Sequence, residues 1–138
     1  MTNPTFTLPI RVYYEDTDTG GVVYYANYLK FMERARTEWL RSFGVMQDEL
    51  SRTQGVLFAV RSARLDYLKP ARLDEQLDVS VELGRRGPAS ILLLQQVRRE
   101  GEVLCRGEIK IACLKAPGFF PTAIPEDIVA RINTWSLS

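Results

Sequence analysis

The stretch Asp16-Thr17-Asp18-Thr19-Gly20-Gly21 places two carboxylates one residue apart, directly before a pair of glycines. A carboxylate can attack an electrophile itself or take a proton from an attacking water. A Gly-Gly pair lets the backbone turn sharply or lie close against a ligand. Val22, Val23, Tyr24 and Tyr25 then lead into a segment with the apolar periodicity of a helix. A helix N-terminus offers unpaired N–H groups and the positive end of the macrodipole. A carboxylate facing such an end is suited to attack, or to activate water against, a polarised carbonyl. The same loop also fits a plainer role, in which the Asp side chains bond their own backbone. A calcium loop needs further oxygen ligands at regular spacing and an acidic residue at its end. Valines and tyrosines stand there instead.

The chain contains no histidine. Ser-His-Asp and Cys-His hydrolases are excluded in their usual form. Histidine-ligated zinc is excluded too, and two cysteines do not make a structural zinc site. No Gly-rich phosphate loop supports nucleotide hydrolysis or dinucleotide binding. No metal and no cofactor are expected.

Three further groups have the right chemistry for a site. Arg85 and Arg86 stand at a strand end before Gly87-Pro88, and with Ser90 they can hold phosphates, since guanidinium forks match phosphate oxygens. On the residues alone a solvated basic turn is the favoured reading. Tyr13, Tyr14, Tyr24, Tyr25 and Tyr28 crowd around the Asp loop, either lining a pocket for an acyl or aryl group or packing with their hydroxyls at the surface. Asp66 and Tyr67, before Lys69-Pro70, could support the loop. Arg98 and Arg99, beside Glu100 and Glu102, read as surface charge.

The elements that must position these residues follow from periodicity. Phe6 to Tyr14 alternates as a strand. Asn27 to Phe43 reads as the main helix, with Tyr28, Met32, Ala35, Trp39 and Phe43 on one stripe and Lys30, Glu33, Arg34, Arg36, Glu38 and Arg41 on the other sides. Asn27 is the expected cap and Gly44 the expected residue after the end. Asp48 to Arg52 forms a short helical turn. Strands follow at Val56 to Leu68, Gln76 to Arg85, Ala89 to Arg99 and Val103 to Leu114, and Glu126 to Trp135 is a terminal helix. Helix and strands do not interleave, and short turns favour antiparallel pairing. The reading is α+β, one long helix against an antiparallel sheet of about five strands. One helix cannot cover both faces, so self-association is expected.

Length and composition set the frame. With 138 residues, 46% of them hydrophobic and 25% charged, the chain reads as one domain over 1–138. A net charge of +1 gives no reason to expect nucleic acid. No apolar run approaches the roughly 20 residues of a membrane span. The N-terminal residues lack a signal-peptide pattern, so a cytoplasmic location is expected. Cys105 and Cys113 fall in one strand, too far apart to form a disulfide with each other. Free thiols fit a reducing compartment.

Taken together, Tyr13-Tyr14-Glu15-Asp16-Thr17-Asp18-Thr19-Gly20-Gly21-Val22-Val23-Tyr24, Ala26-Asn27-Tyr28, Glu33-Arg34-Ala35-Arg36 and Asp66-Tyr67-Leu68-Lys69-Pro70-Ala71-Arg72 resemble the tol-pal-associated acyl-CoA thioesterases. These belong to the hydroxybenzoyl-CoA thioesterase group of hotdog-fold proteins, and the likeness covers roughly Ile10 to Leu114. The resemblance implies a hotdog fold, with a long central helix wrapped by the sheet. It implies homodimers or homotetramers with sites at subunit interfaces, and hydrolysis of an acyl-CoA thioester. It assigns the catalytic carboxylate to Asp18 and the carbonyl-polarising N–H to the helix start near Tyr25. Many members carry His at the position of Tyr25, and the aryl-CoA relatives carry an aromatic. Gly20, Gly21 and Tyr24 would meet the substrate, and Arg85, Arg86 and Ser90 the CoA phosphates. An acyl carrier protein or a phospholipid-synthesis protein is a possible partner. The rival expectation is a non-catalytic hotdog module that binds acyl-CoA or acyl carrier protein, or an envelope-associated scaffold.

Overall fold

Apolar and polar residues alternate through most of the chain after residue 56, and the backbone follows them into one antiparallel sheet. The structure, a computed structural model, describes residues 4–137. In chain order it holds β1 (Thr5–Arg11), α1 (Asn27–Ser42), α2 (Gln47–Gln54), β2 (Val56–Tyr67), β3 (Gln76–Arg86), β4 (Ser90–Arg99), β5 (Glu102–Lys115), the two-residue β6 (Phe120–Pro121) and α3 (Glu126–Ser136). The hydrogen-bonded order is β1-β3-β4-β5-β2, with β6 on β5, and every pair is antiparallel. This is the α+β, hotdog arrangement expected above: a long helix held in the curl of the sheet.

Helix α1 packs across β1, β3 and β4. Its stripe of Tyr28, Met32, Ala35 and Trp39 is buried, together with Phe31 and Leu40. Leu77, Val79 and Val81 from β3, with Ile91, Leu93 and Val97 from β4, complete the core. Each such large apolar side chain stabilises the fold by about 1.5–3 kcal/mol when removed from water. Gly107 permits the close seat of the helix, because a Cβ there would lie 2.8 Å from Met32 Sδ.

Four local expectations change. The first strand stops at Arg11, because the Val12 N–H turns to the Glu75 carbonyl at 2.9 Å and Tyr14–Asp16 closes a 3-10 turn. Ala26, not Asn27, caps α1, while Asn27 uses its side chain elsewhere. Arg36 is buried, not solvated, because an acceptor awaits it inside the sheet: its Nη1 donates to Gln95 Oε1 at 3.0 Å. Gln95 in turn donates to the Met32 and Ser80 carbonyls. Desolvation pulls the Arg36 pKa below its ordinary value, opposed by the nearby charge of Glu33. Ser80, which the alternation of β3 puts on the face of Asp78 and Glu82 opposite Leu77, Val79 and Val81, is also buried.

Gly44 follows α1 at φ +87°, the conformation its place required. Cys105 and Cys113 are free and buried along the continuous β5. Among the described residues no helix is long and apolar enough to cross a membrane.

Candidate active site

The Asp loop is a small hairpin hung between β1 and α1. Its two arms are tied by the Asp18 N–H donating to the Val22 carbonyl at 2.9 Å and the Tyr24 N–H donating to the Asp16 carbonyl at 3.0 Å. The Gly20-Gly21 pair makes the tip, with Gly21 at φ +77°, where an L side chain would be strained.

The two carboxylates do different things. Asp16 is buried, and its Oδ2 accepts the Tyr13 N–H at 2.8 Å. Its carbonyl also receives the Asn27 amide at 2.8 Å, which is why Asn27 does not cap the helix. Asp16 therefore holds the loop to the helix. Asp18 is exposed, and its Oδ1 accepts the Gly20 N–H at 2.8 Å. Its second oxygen has no hydrogen-bond partner among the described residues.

The helix start lies on the same hairpin. The N–H groups of Asn27, Tyr28 and Leu29 donate to the carbonyls of Tyr24, Tyr25 and Ala26 in a tightened first turn. The N–H groups of Tyr25 and Ala26 find no acceptor among the described residues. They are the donors a helix leaves open at its positive end.

Around this junction the tyrosines form a connected cluster. The Tyr24 and Tyr25 rings lie 4.7 Å apart, and Tyr67 packs edge-on against both Tyr25 and Tyr28. The Tyr67 hydroxyl donates to the Tyr25 carbonyl at 3.3 Å, which gives the loop support expected of this residue a definite contact. Tyr25 itself is 60% exposed, so its ring is free to meet a ligand. Tyr28 is buried, its hydroxyl accepts the Ala71 N–H at 3.0 Å, and desolvation raises its phenol above the ordinary value.

An open cleft of about 530 Å³ runs beside Asp18 and is walled by Tyr14, Thr17, Thr19, Gly21 and Leu73. A tighter cavity of about 250 Å³ lies among Arg64, Asp66, Arg106 and Glu108 on the sheet and includes no residue of the Asp loop. No three or more His, Cys, Asp or Glu side chains are grouped to hold a metal ion among the described residues.

Asp18, Gly20, Gly21, Tyr24 and Tyr25 are thus brought together. Arg85, Arg86 and Ser90 are not. The loop sits at the end of the sheet where β3 begins, through the bond from Val12 to Glu75, whereas Arg85 and Arg86 end β3. Nine strand steps from Gln76 to Arg85 span roughly 30 Å. Ser90 closes the turn beside them, its carbonyl accepting the Gly87 N–H at 2.8 Å.

Reading the sequence missed the platform beneath the loop. The Ala71 carbonyl accepts the Val23 N–H at 2.8 Å, and the Leu73 N–H donates to the Gly21 carbonyl at 3.2 Å. The available signal was Lys69-Pro70, which ends a strand and forces the chain to change course there.

The family model of the thioesterase-like superfamily matches residues 12–132. The acyl-CoA thioesterase YbgC of Haemophilus influenzae is 42% identical over 133 residues, covering 96% of this chain and 98% of its own. The acyl-CoA thioester hydrolase YbgC of Escherichia coli is 41% identical over 134 residues, with coverage of 96% and 99%. Among solved structures, a probable thioesterase from Bartonella henselae superposes with a TM-score of 0.85 at 30% identity, covering 88% of this chain and all of its own.

Proposed function

The chain belongs to the thioesterase-like superfamily and is an acyl-CoA thioester hydrolase, and from that premise we propose that Asp18 delivers the attacking oxygen to the thioester carbonyl. One observation carries the assignment. A single hairpin holds a carboxylate oxygen with no partner among the described residues and, at its other end, N–H groups of a helix start that find no acceptor among them.

Two routes use this geometry. In the first, Asp18 attacks the carbonyl carbon, the C–S bond breaks, and CoA leaves as thiolate. The resulting mixed anhydride is then cleaved by water. In the second, Asp18 takes a proton from a water that attacks the same carbon. Both give the free acid and CoA. In both, the Tyr25 N–H and the helix dipole stabilise the charge that develops on the carbonyl oxygen. Gly20 and Gly21 let the thioester approach the backbone closely, and the Tyr24 ring borders it.

Arg85, Arg86 and Ser90 bind the CoA phosphates. Their place at the far end of β3 from the Asp18 loop favours supply by a neighbouring subunit, in a homodimer or homotetramer. The open edges at β1 and β2 support such pairing. An acyl carrier protein or a phospholipid-synthesis protein is the proposed macromolecular partner, with the tol-pal-associated thioesterases as the subgroup. The proposed compartment is the cytoplasm, where Cys105 and Cys113 stay reduced.

The test is release of free thiol across short, long and aryl acyl-CoAs, followed by one turnover in water enriched in oxygen-18. Label in Asp18 identifies the anhydride route with cleavage at the Asp18 carbon, and label confined to the product acid means that water attacked the acyl carbon, of the thioester or of the anhydride. No thiol release from any acyl-CoA would leave a binding module in place of an enzyme.

A further inference from the structure

The Asp18 hairpin rests on residues 70–75, and that segment is itself locked from outside. It turns tightly: the Glu75 N–H donates to the Arg72 carbonyl at 3.2 Å, and Asp74 adopts φ +69°. The Arg72 N–H returns a bond to Glu75 Oε1 at 2.6 Å. The same carboxylate is held by Arg99 at the end of β4, whose Nη1 lies 2.8 and 3.0 Å from its two oxygens. That nitrogen also reaches the Pro70 carbonyl at 3.2 Å, and Nη2 donates to Glu102 at 3.0 Å. Lys69 bonds Glu102 in turn. The Arg99 and Glu75 side chains are only 25% and 26% exposed, so water screens this pair less than an open surface pair.

We propose that Arg99 is a positioning residue for Asp18, acting through Glu75 and the turn of residues 70–75. The chain of contacts is continuous. Arg99 sets Glu75, Glu75 sets the Arg72 N–H, and the residues on either side of Arg72 hold Val23 and Gly21. Gly21 in turn donates its N–H to the Asp18 carbonyl at 3.1 Å. A planar guanidinium is required, because one group must meet a carboxylate, a carbonyl and a second carboxylate at fixed angles. Displacing a reacting group by about 1 Å can cost on the order of 10² in rate. The proposal rests on the assignment of Asp18 given above.

The experiment compares Arg99→Gln, Arg99→Lys, Glu75→Gln and the Arg99→Gln/Glu75→Gln double variant, at a temperature well below each unfolding midpoint. Val97→Ala, a core substitution in the same strand, serves as a stability control. Arg99→Gln should lower kcat about tenfold or more with KM within about twofold, as for a group that matters only in the transition state. Arg99→Lys should recover part of kcat. The double variant should lose no more than the worse single variant, because the two residues act as one unit. Normal kcat in Arg99→Gln overturns the proposal, as do multiplied losses in the double variant. An equal loss in a Val97→Ala protein of matched stability overturns it too. If Asp18→Asn is fully active, the Asp18 assignment fails by itself. If Asp18→Asn is inactive while Arg99→Gln is normal, only the positioning role fails.

Discussion

Asp18 Oδ1 accepts the Gly20 N–H at 2.8 Å, so the glycine tip of the loop aims the carboxylate while its other oxygen has no hydrogen-bond partner among the described residues. A Cβ on residue 20 would stand 3.3 Å from that same oxygen. The glycine is thus part of how the carboxylate is held, besides giving room for a substrate.

Asp18→Asn keeps the shape and an acceptor for the Gly20 N–H but removes the charge. We expect kcat to fall by about 10² or more, the scale for a positioned acid–base or nucleophilic group. A folded variant that keeps more than about a tenth of the wild-type rate rejects the assignment. Asp16→Asn should instead lower the unfolding midpoint, since Asp16 is buried and its Oδ2 bonds Tyr13.

Tyr25 separates side chain from backbone. Tyr25→Phe leaves the open N–H in place and should stay within a few-fold of wild type. Tyr25→Pro removes that donor and should cost about 10² to 10³ in kcat. Circular dichroism and oligomeric state must match for the comparison to count. A large loss in Tyr25→Phe would assign the work to the hydroxyl.

Arg85→Ala/Arg86→Ala should raise KM for acyl-CoA and leave kcat nearly unchanged, as when binding common to ground and transition states is lost. A short thioester without the nucleotide should not respond. Because these arginines end β3 while the Asp18 loop is tied to the residues just before its start, mixing the variant with Asp18→Asn should restore activity in hybrid assemblies. No restoration after exchange of subunits would put the arginines outside the site.

Cys105 gives the pH dependence of stability a sign. Burial pushes its thiol up to about 12 from 9.0. Between those values the unfolded chain has lost a proton that the folded chain keeps, so stability falls as pH rises. The effect sets in as pH approaches 9, where the unfolded thiol is half ionised, and amounts to about 1–2 kcal/mol by pH 10. Denaturant unfolding at pH 7 and pH 10 should show a smaller drop for Cys105→Ala than for wild type. An identical drop would show that other groups carry it.

The sequence by itself determined the order of elements, because periods of two and of about 3.6 residues are written in the chain. Tyr28, Met32, Ala35 and Trp39 defined the buried stripe of α1, and Leu77, Val79 and Val81 the inner face of β3. It also determined which residues form the loop-and-helix junction, since Asp16 to Tyr25 are neighbours in the chain and their contacts are local. Tertiary structure alone decided the rest. It divided the two aspartates into a buried loop tie and an exposed carboxylate, a matter of which one meets solvent. It buried Arg36, because Gln95 lies opposite it from a strand 59 positions away. It turned Arg99 from surface charge into the clamp on Glu75, and it set Arg85 and Arg86 at the far end of the sheet. The last three depend on elements distant in sequence that meet only in the folded chain, and no local pattern of residue types encodes the register in which they meet.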